Sequence, residues 1–326
     1  MNKSLKDRIF NLTSNEEFED LCLELFEYQI KHNSIYSKYA KIILQDKKPK
    51  TRTEIPFLPI EFFKTQKIIS CEKQIDKIFK SSGTEGERSC HYVADLKLYQ
   101  DSFSLCFNKF YGDPKQYTIL ALLPSYLESK QSSLVYMVDS LIKISNSSAS
   151  NFYNKNIDKL AKDIYVLEKE KRKILLIGVS YALLDFAEKY PMNLQHTTIL
   201  ETGGMKGKRR EITKEEMHNI LKYAFNIENI HSEYGMTELL SQAYSNGNGI
   251  FKTPAWMKIL IRDIHDPLTI IGNKKRGGIN IIDLANIYSC PFIATQDLGE
   301  KINDSTFYLL GRYDNADTRG CNLLIQ

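Results

Sequence analysis

Apolar positions near the start of the chain recur every three or four residues. In SNEEFEDLCLELFEYQ, Phe18, Leu21, Cys22 and Leu25 share one helical face, and Ser14 with Glu17 has the form of a capping box. The spacing predicts an N-terminal helix with one buried stripe. The next apolar segment, IPFLPIEFF (55–63), has prolines at positions 56 and 59. They exclude a helix interior or a central strand and predict a rigid, extended segment that packs. From residue 95 two patterns alternate. Helical spacing in DLKLYQDSFSLCFNKFY, IDKLAKDIYVLEKEKR (157–172), SYALLDFAEKY and TKEEMHNILKYAF (213–225) is interleaved with the buried-strand runs YTILALLP (117–124), ILLIG (174–178) and TTILE (197–201).

Strands separated by helical stretches indicate crossover units: an α/β fold with mainly parallel sheet and flanking helices. Thr213 and Glu216 give the last helix a second capping box. Beyond residue 250 helical spacing stops. AWMKILIRDI, GGINIIDL, PFIATQDL and TFYLLGR predict short strands joined by Asn-Gly, Asp-Pro and Gly-Gly turns. A smaller β-rich C-terminal lobe over 251–310 therefore follows the α/β core of residues 1–250. With no internal repeat and no low-complexity linker, the two read as one folding unit.

A chain of 326 residues, 42% of them hydrophobic, can bury a large core. Its net charge of +4 comes from 44 basic and 40 acidic residues spread along the whole length, so no nucleic-acid footprint stands out. The first thirty residues hold no uninterrupted apolar segment, which excludes an ordinary secretory signal. ILLIGVSYALLDFA (174–187) is shorter than the roughly 20 residues of a membrane helix and contains Asp185, so no membrane span is expected. These features predict a soluble cytoplasmic protein. Its six cysteines show no C-x-x-C pair or metal-ligand spacing, which suggests neither a disulfide framework nor a zinc site.

Three stretches at predicted strand ends carry candidate chemistry. SSGTEG (81–86) offers hydroxyls from Ser81, Ser82 and Thr84 beside Gly83 and Gly86, the small residues and freed backbone amides that a polyphosphate needs. It lacks the Walker pattern, and alone it reads as a surface turn. ETGGMKGKRRE (201–211) places Gly203 and Gly204 where backbone can lie against a base, although a turn with a solvated basic run has the same look. HSEYGMTELLSQAY (231–244), leaving the short strand IENIH, supplies Tyr234, Gly235, Thr237 and Glu238. A ring can stack on a base, and a hydroxyl with a carboxylate can hold a magnesium-bound phosphate. An ordinary helix start would be similar. Together the three meet the needs of a nucleotide: a phosphate loop, a base seat and a metal-side carboxylate.

In this order the elements resemble those of the adenylate-forming superfamily of acyl and aryl ligases. ATQDLGE (294–300) is similar to that superfamily's Thr-Gly-Asp-Leu-Gly segment, with Gln296 in place of glycine, which implies a ribose-hydroxyl role for Asp297. GRYDNADTRGC (311–321) is similar to its Gly-Arg-x-Asp hinge, which implies that Arg312 lies near the ribose or phosphate. Two features depart from the pattern. Glu87 and Arg88 stand where Pro-Lys is usual, with Glu85 adding negative charge to the phosphate loop. The sequence stops at Gln326, where the superfamily continues into a lid domain with a catalytic lysine.

One branch ends this early, the LuxE-like acyl-protein synthetases. The likeness is carried by IPFLPIEFFKT, FKSSGT, LPSYLESKQSSLVYM and the terminal RGC, and spans most of residues 50–326. In that branch a cysteine close to the C-terminus receives the acyl group, and Cys321 matches its position; residues 311–326 then form a hinge-like tail. Nearby Arg312 and Arg319 would lower the thiol's pKa.

The resemblance implies ATP and magnesium as cofactors, a carboxylic acid substrate (a fatty acid in that branch), and an acyl adenylate passed to Cys321 as a thioester. A partner acyl reductase or acyl carrier would take the acyl group onward. Phosphates would lie on Ser81–Gly86 and adenine against Gly203, Gly204 and Tyr234. Ribose would sit on Asp297, with Thr237 and Glu238 serving metal and α-phosphate. An acyl-CoA or carrier-protein ligase is the alternative enzyme. A non-catalytic nucleotide-binding subunit is the alternative of another class, with Glu85 and the missing lid lysine as its marks.

Overall fold

The strand-forming runs lie almost entirely on one sheet in a computed structural model, which describes residues 4–45, 47–82, 88–124, 129–154, 156–203, 209–210 and 212–312. In chain order the strands are β1 (Leu58–Pro59), β2 (Lys77–Lys80), β3 (Cys90–Val93), β4 (Thr118–Leu122), β5 (Asn151–Phe152), β6 (Ile174–Val179), β7 (Thr197–Thr202) and β8 (His231–Tyr234). There follow β9 (Ala243–Ser245), β10 (Ile250–Lys252), β11 (Met257–Arg262), β12 (Ile270–Ile271), β13 (Arg276–Asp283), β14 (Phe292–Asn303) and β15 (Thr306–Arg312). Among the described residues, 13 of them form a sheet in the order β12-β11-β13-β14-β15-β10-β9-β8-β7-β6-β4-β5, with β1 added beside β14. β2 and β3 form a separate hairpin.

The sheet is mixed. Parallel pairing joins β5, β4, β6, β7 and β8, and again β1 with β14; all other neighbours are antiparallel. The change at β8 has a local cause: the links between the strands that follow are too short for a crossover helix, and short links join antiparallel strands. The β-rich C-terminal part thus continues the α/β sheet.

The helices are α1 (Leu5–Phe10), α2 (Asn15–His32), α3 (Ser34–Leu44), α4 (Phe62–Thr65), α5 (Leu96–Tyr111), α6 (Ser133–Ser145), α7 (Ile157–Lys169), α8 (Ser180–Lys189) and α9 (Lys214–Phe225). Because strand side chains alternate between faces, β4, β6 and β7 each feed two cores. Leu120 and Leu122 of β4 pack with Leu160 and Ile164 of α7, Leu183 and Phe186 of α8, and Leu221 and Phe225 of α9. Ile119 and Ala121 face the other way, into a core with Phe103 and Phe107 of α5 and Val138 and Leu141 of α6. No helix among the described residues is long and apolar enough to cross a membrane.

Local signals were decoded with a few shifts. Thr213 and Glu216 form the capping box of α9. At α2, Ser14 accepts from Glu17 N as the N-cap does, but the Glu17 carboxylate reaches the Thr13 amide and hydroxyl, one residue further back. The proline-bearing segment is extended and packed: Ile55, Phe57, Leu58 and Phe63 are buried, and the Tyr36 hydroxyl donates to Pro56 O at 2.7 Å. The strand expected at 227–231 begins instead at His231. Asn226 caps α9 at φ 50° and Ile227 N bonds back to Lys222 O, so these residues are used in leaving the helix.

Candidate functional site

β6, β7 and β8 end side by side, with Val179 opposite Thr202 and Thr202 opposite Glu233. In an open parallel arrangement this is the edge where ligands bind. Gly203 follows β7 at φ 74°, in the left-handed region that favours glycine. Gly235 follows β8 so close to the Glu233 carboxylate that a Cβ there would collide with it. Both glycines are exposed on this edge. The Ser180 hydroxyl lies 3.1 Å from Gly203 O and 3.2 Å from Glu201 Oε2. Glu201 is fully buried, and Lys214 at the start of α9 reaches its Oε1 at 2.5 Å. Burial pushes the Glu201 carboxyl up, but Lys214, His218 and Ser232 outweigh it and hold the pKa at about 2.

Tyr234 is the last residue of β8. Its ring is buried, edge-on to Phe251 of β10 and Phe307 of β15, and its hydroxyl donates to Asp297 Oδ2 of β14 at 2.7 Å. Arg312, at the end of β15 and paired in register with Asp297, places Nε 3.4 Å from the other carboxylate oxygen. The guanidinium is mostly exposed while Asp297 is buried. Burial raises the Asp297 carboxyl above its ordinary range, against the pull of Tyr234 and Arg312.

The SSGTEG stretch joins β2 to β3 and is closed at its base by Ser81. Ser81 N donates to Ser89 O, and Ser89 N donates to Ser81 Oγ, each at 3.1 Å. Ser82 is exposed beside it. The chain from Gly235 to Gln242 forms a turn at Thr237–Glu238, not the helix start its composition allowed. The Glu238 carboxylate is buried, and burial pushes its pKa up against a hydrogen bond from Ser89 and the more distant charge of Arg312. Thr237 and Glu238 are held by their backbone carbonyls, the first within 2.8 Å of His91 Nδ1, the second accepting from Asn286 Nδ2 at 2.8 Å.

Ser81, Thr237 and Glu238 are therefore linked through Ser89, His91 and Asn286, while Tyr234, Asp297 and Arg312 form a second group whose charges reach Glu238. Gly203 and Gly235 lie at neighbouring strand ends and the exposed Ser82 at the end of the hairpin. Gly83, Thr84, Gly86, Gly204 and Cys321 fall outside the described residues. Reading the sequence missed four supporting residues: Glu201, Ser89, His91 and Asn286. The first two lay within or beside the quoted stretches, while His91 and Asn286 belong to no local pattern that marks them. Cys22, Cys106 and Cys290 are buried and their thiols are pushed up by burial, Cys290 to about 12, which unsuits them as nucleophiles. No group of three or more metal-type side chains occurs among the described residues.

The family model described as "Acyl-protein synthetase, LuxE" matches residues 8–326. No curated protein matches the chain significantly. Among solved structures, ATP-bound MatB from Rhodopseudomonas palustris is similar at 14% identity and a TM-score of 0.57 over 74% of this chain and 49% of its own. A 2-hydroxyisobutyryl-CoA ligase solved with 2-HIB-AMP and CoA is similar at 12% identity and a TM-score of 0.68, over 95% of this chain and 71% of its own. The chain thus spans about half the length of MatB. At these identities the likeness shows the fold.

Proposed function

The chain belongs to the LuxE acyl-protein synthetase family, and from that premise we propose that it activates a carboxylic acid with ATP as an acyl adenylate and transfers the acyl group to Cys321. The observation that carries this reading is the convergence of Tyr234, Asp297 and Arg312, from β8, β14 and β15, beside the Thr237–Glu238 turn. Buried carboxylates with hydroxyl and guanidinium partners suit a ribose and a phosphate, whose oxygens and hydroxyls supply the complementary donors and acceptors.

Asp297 would accept from the ribose hydroxyls while Arg312 turns between that carboxylate and a phosphate oxygen. Gly203 and Gly235 let backbone approach the base, and the hairpin loop from Ser81 takes the β- and γ-phosphates through its amides and hydroxyls. Tyr234 acts on Asp297 through its hydroxyl and offers the base what its packing leaves of the ring. Magnesium fits the donor set at Glu238. Burial raises both Glu238 and Asp297, and an oxygen-seeking cation would offset that cost. One carboxylate completed by phosphate oxygens is also how magnesium is usually held. When bound, the ion neutralises charge on the phosphates.

The acid's carboxylate oxygen attacks the α-phosphorus and pyrophosphate leaves. The Cys321 thiolate then attacks the acyl carbonyl and AMP leaves. By family, the acid is a fatty acid and the next acceptor is a partner acyl reductase or acyl carrier.

The test is acid-dependent exchange of labelled pyrophosphate into ATP, followed by intact mass of wild type and Cys321→Ser after incubation with fatty acid and ATP. We expect exchange in both proteins and a hydroxylamine-labile adduct in wild type alone. An adduct surviving in Cys321→Ser removes that residue's role. Turnover that requires coenzyme A would point to the acyl-CoA ligase, and no exchange with any acid to a non-catalytic nucleotide-binding subunit.

A further inference from the structure

His91 is 1% exposed on β3, just past the hairpin loop, and no part of the proposed chemistry uses it. Its ring lies between two acceptors: Nδ1 is 2.8 Å from Thr237 O, and Nε2 is 3.1 Å from Asn286 Oδ1. The Asn286 amide cannot be turned round to relieve this, because its Nδ2 donates to Glu238 O at 2.8 Å and to Cys290 O at 3.0 Å, and carbonyls only accept. A ring buried between a carbonyl and an amide oxygen is favoured in its uncharged form, which owns a single N–H. Two oxygens compete for that proton, and Thr237 O is the nearer.

The consequence reaches the turn. Thr237 and Glu238 are consecutive, and each has its carbonyl tied by a buried donor, one from His91 and one from Asn286, which touch each other. His91 belongs to the β2–β3 hairpin, which among the described residues makes no strand pairing with the main sheet. The hairpin's register against the turn therefore depends on side-chain contacts of this kind, including the bond between Ser89 and Glu238.

We infer that His91 is a positioning residue: a neutral ring protonated at Nδ1 that locks the Thr237–Glu238 turn to the hairpin bearing the phosphate loop. Its kinetic effect rests on the function proposed above; the lock itself does not. Holding groups from separate elements in place is a large part of catalysis, and a displacement of about 1 Å can cost on the order of a hundredfold.

Three variants separate the possibilities. Asparagine puts an amide nitrogen near the position of Nδ1, glutamine near that of Nε2, and phenylalanine keeps the ring without a donor. We expect His91→Asn to hold the kcat of pyrophosphate exchange within about threefold. His91→Gln and His91→Phe should lose about tenfold or more in kcat, with KM for ATP changed less than about threefold. Backbone hydrogen exchange over residues 235–242 should quicken in the Gln and Phe variants and stay as in wild type for Asn. Nitrogen-15 NMR of the six histidines, with His91 identified by its loss in the Asn variant, should show the Nδ1–H tautomer. Equal behaviour of the Asn and Gln variants, or an Nε2–H ring, overturns the inference, and this pair decides even if His91→Phe fails to fold. If wild type shows no exchange with any acid, the proposed function fails, while hydrogen exchange and NMR still decide the lock.

Discussion

At the scale of single residues, the site is built from carboxylates kept out of water. Glu238 is raised by burial, so the sign of its pH effect can be worked out. Its contribution is intact below the unfolded carboxylate value and is lost as pH rises through the higher folded value. Glu238→Gln should therefore melt above wild type at pH 8, converge with it near pH 4, and lose pyrophosphate exchange. A lower melting temperature at pH 8 would refute this assignment of the burial cost. Tyr234→Phe leaves Asp297 Oδ2 without its 2.7 Å donor. It should cost about 1–2 kcal/mol in denaturant unfolding and raise KM for ATP. Both residues are visible in the sequence as candidate ligands. That the Tyr234 hydroxyl serves Asp297, 63 positions away, is not, because a side chain's partner depends on where the intervening strands go.

At the scale of elements, the end of β7 is tied to the start of α9 by an ion pair between the buried Glu201 carboxylate and the partly exposed Lys214. Removing one partner of such a pair strands a charge. Lys214→Met is expected to cost about 3–5 kcal/mol in urea unfolding, most of it recovered in Glu201→Gln/Lys214→Met. The wild-type pair also has a pH signature. With Glu201 held at about 2, its contribution is present above the unfolded carboxylate value and is lost as pH falls below about 4 towards 2. Glu201→Gln should lack that acid-side loss. Element ends show how far local signals reach. The Thr213–Glu216 box was readable because all its bonds fall within four residues. The start of β8 was misplaced because the turn out of α9 uses Asn226 and Ile227, whose conformation follows from the helix packing above them.

At the scale of the molecule, the sheet itself brings the site together. β8 and β14 are four strands apart, about 19 Å on a flat sheet, which a tyrosine and an aspartate cannot bridge. Their hydrogen bond means that the sheet curls over Phe251 and Phe307, as large twisted sheets do. A ligand held by both ends of the curl should stabilise the whole fold. At about 100 times its Kd, MgATP is expected to add about 2.7 kcal/mol, raising Tm by about 4 °C by scanning calorimetry. Asp297→Ala should remove most of that shift. An unchanged shift in the variant would place the nucleotide elsewhere.

The order of helices and strands, the caps, the extended proline segment and the choice of glycine at 203 and 235 were determined by the sequence itself. Each depends on interactions within a few residues, where propensity and spacing decide. The curl that joins Tyr234 to Asp297, the burial that raises Glu238, and the seat of His91 between Thr237 and Asn286 were decided only by the tertiary structure. The Tyr234–Asp297, His91–Thr237 and His91–Asn286 contacts join residues 63, 146 and 195 positions apart. Their energies come from desolvation and from partners that no local pattern specifies.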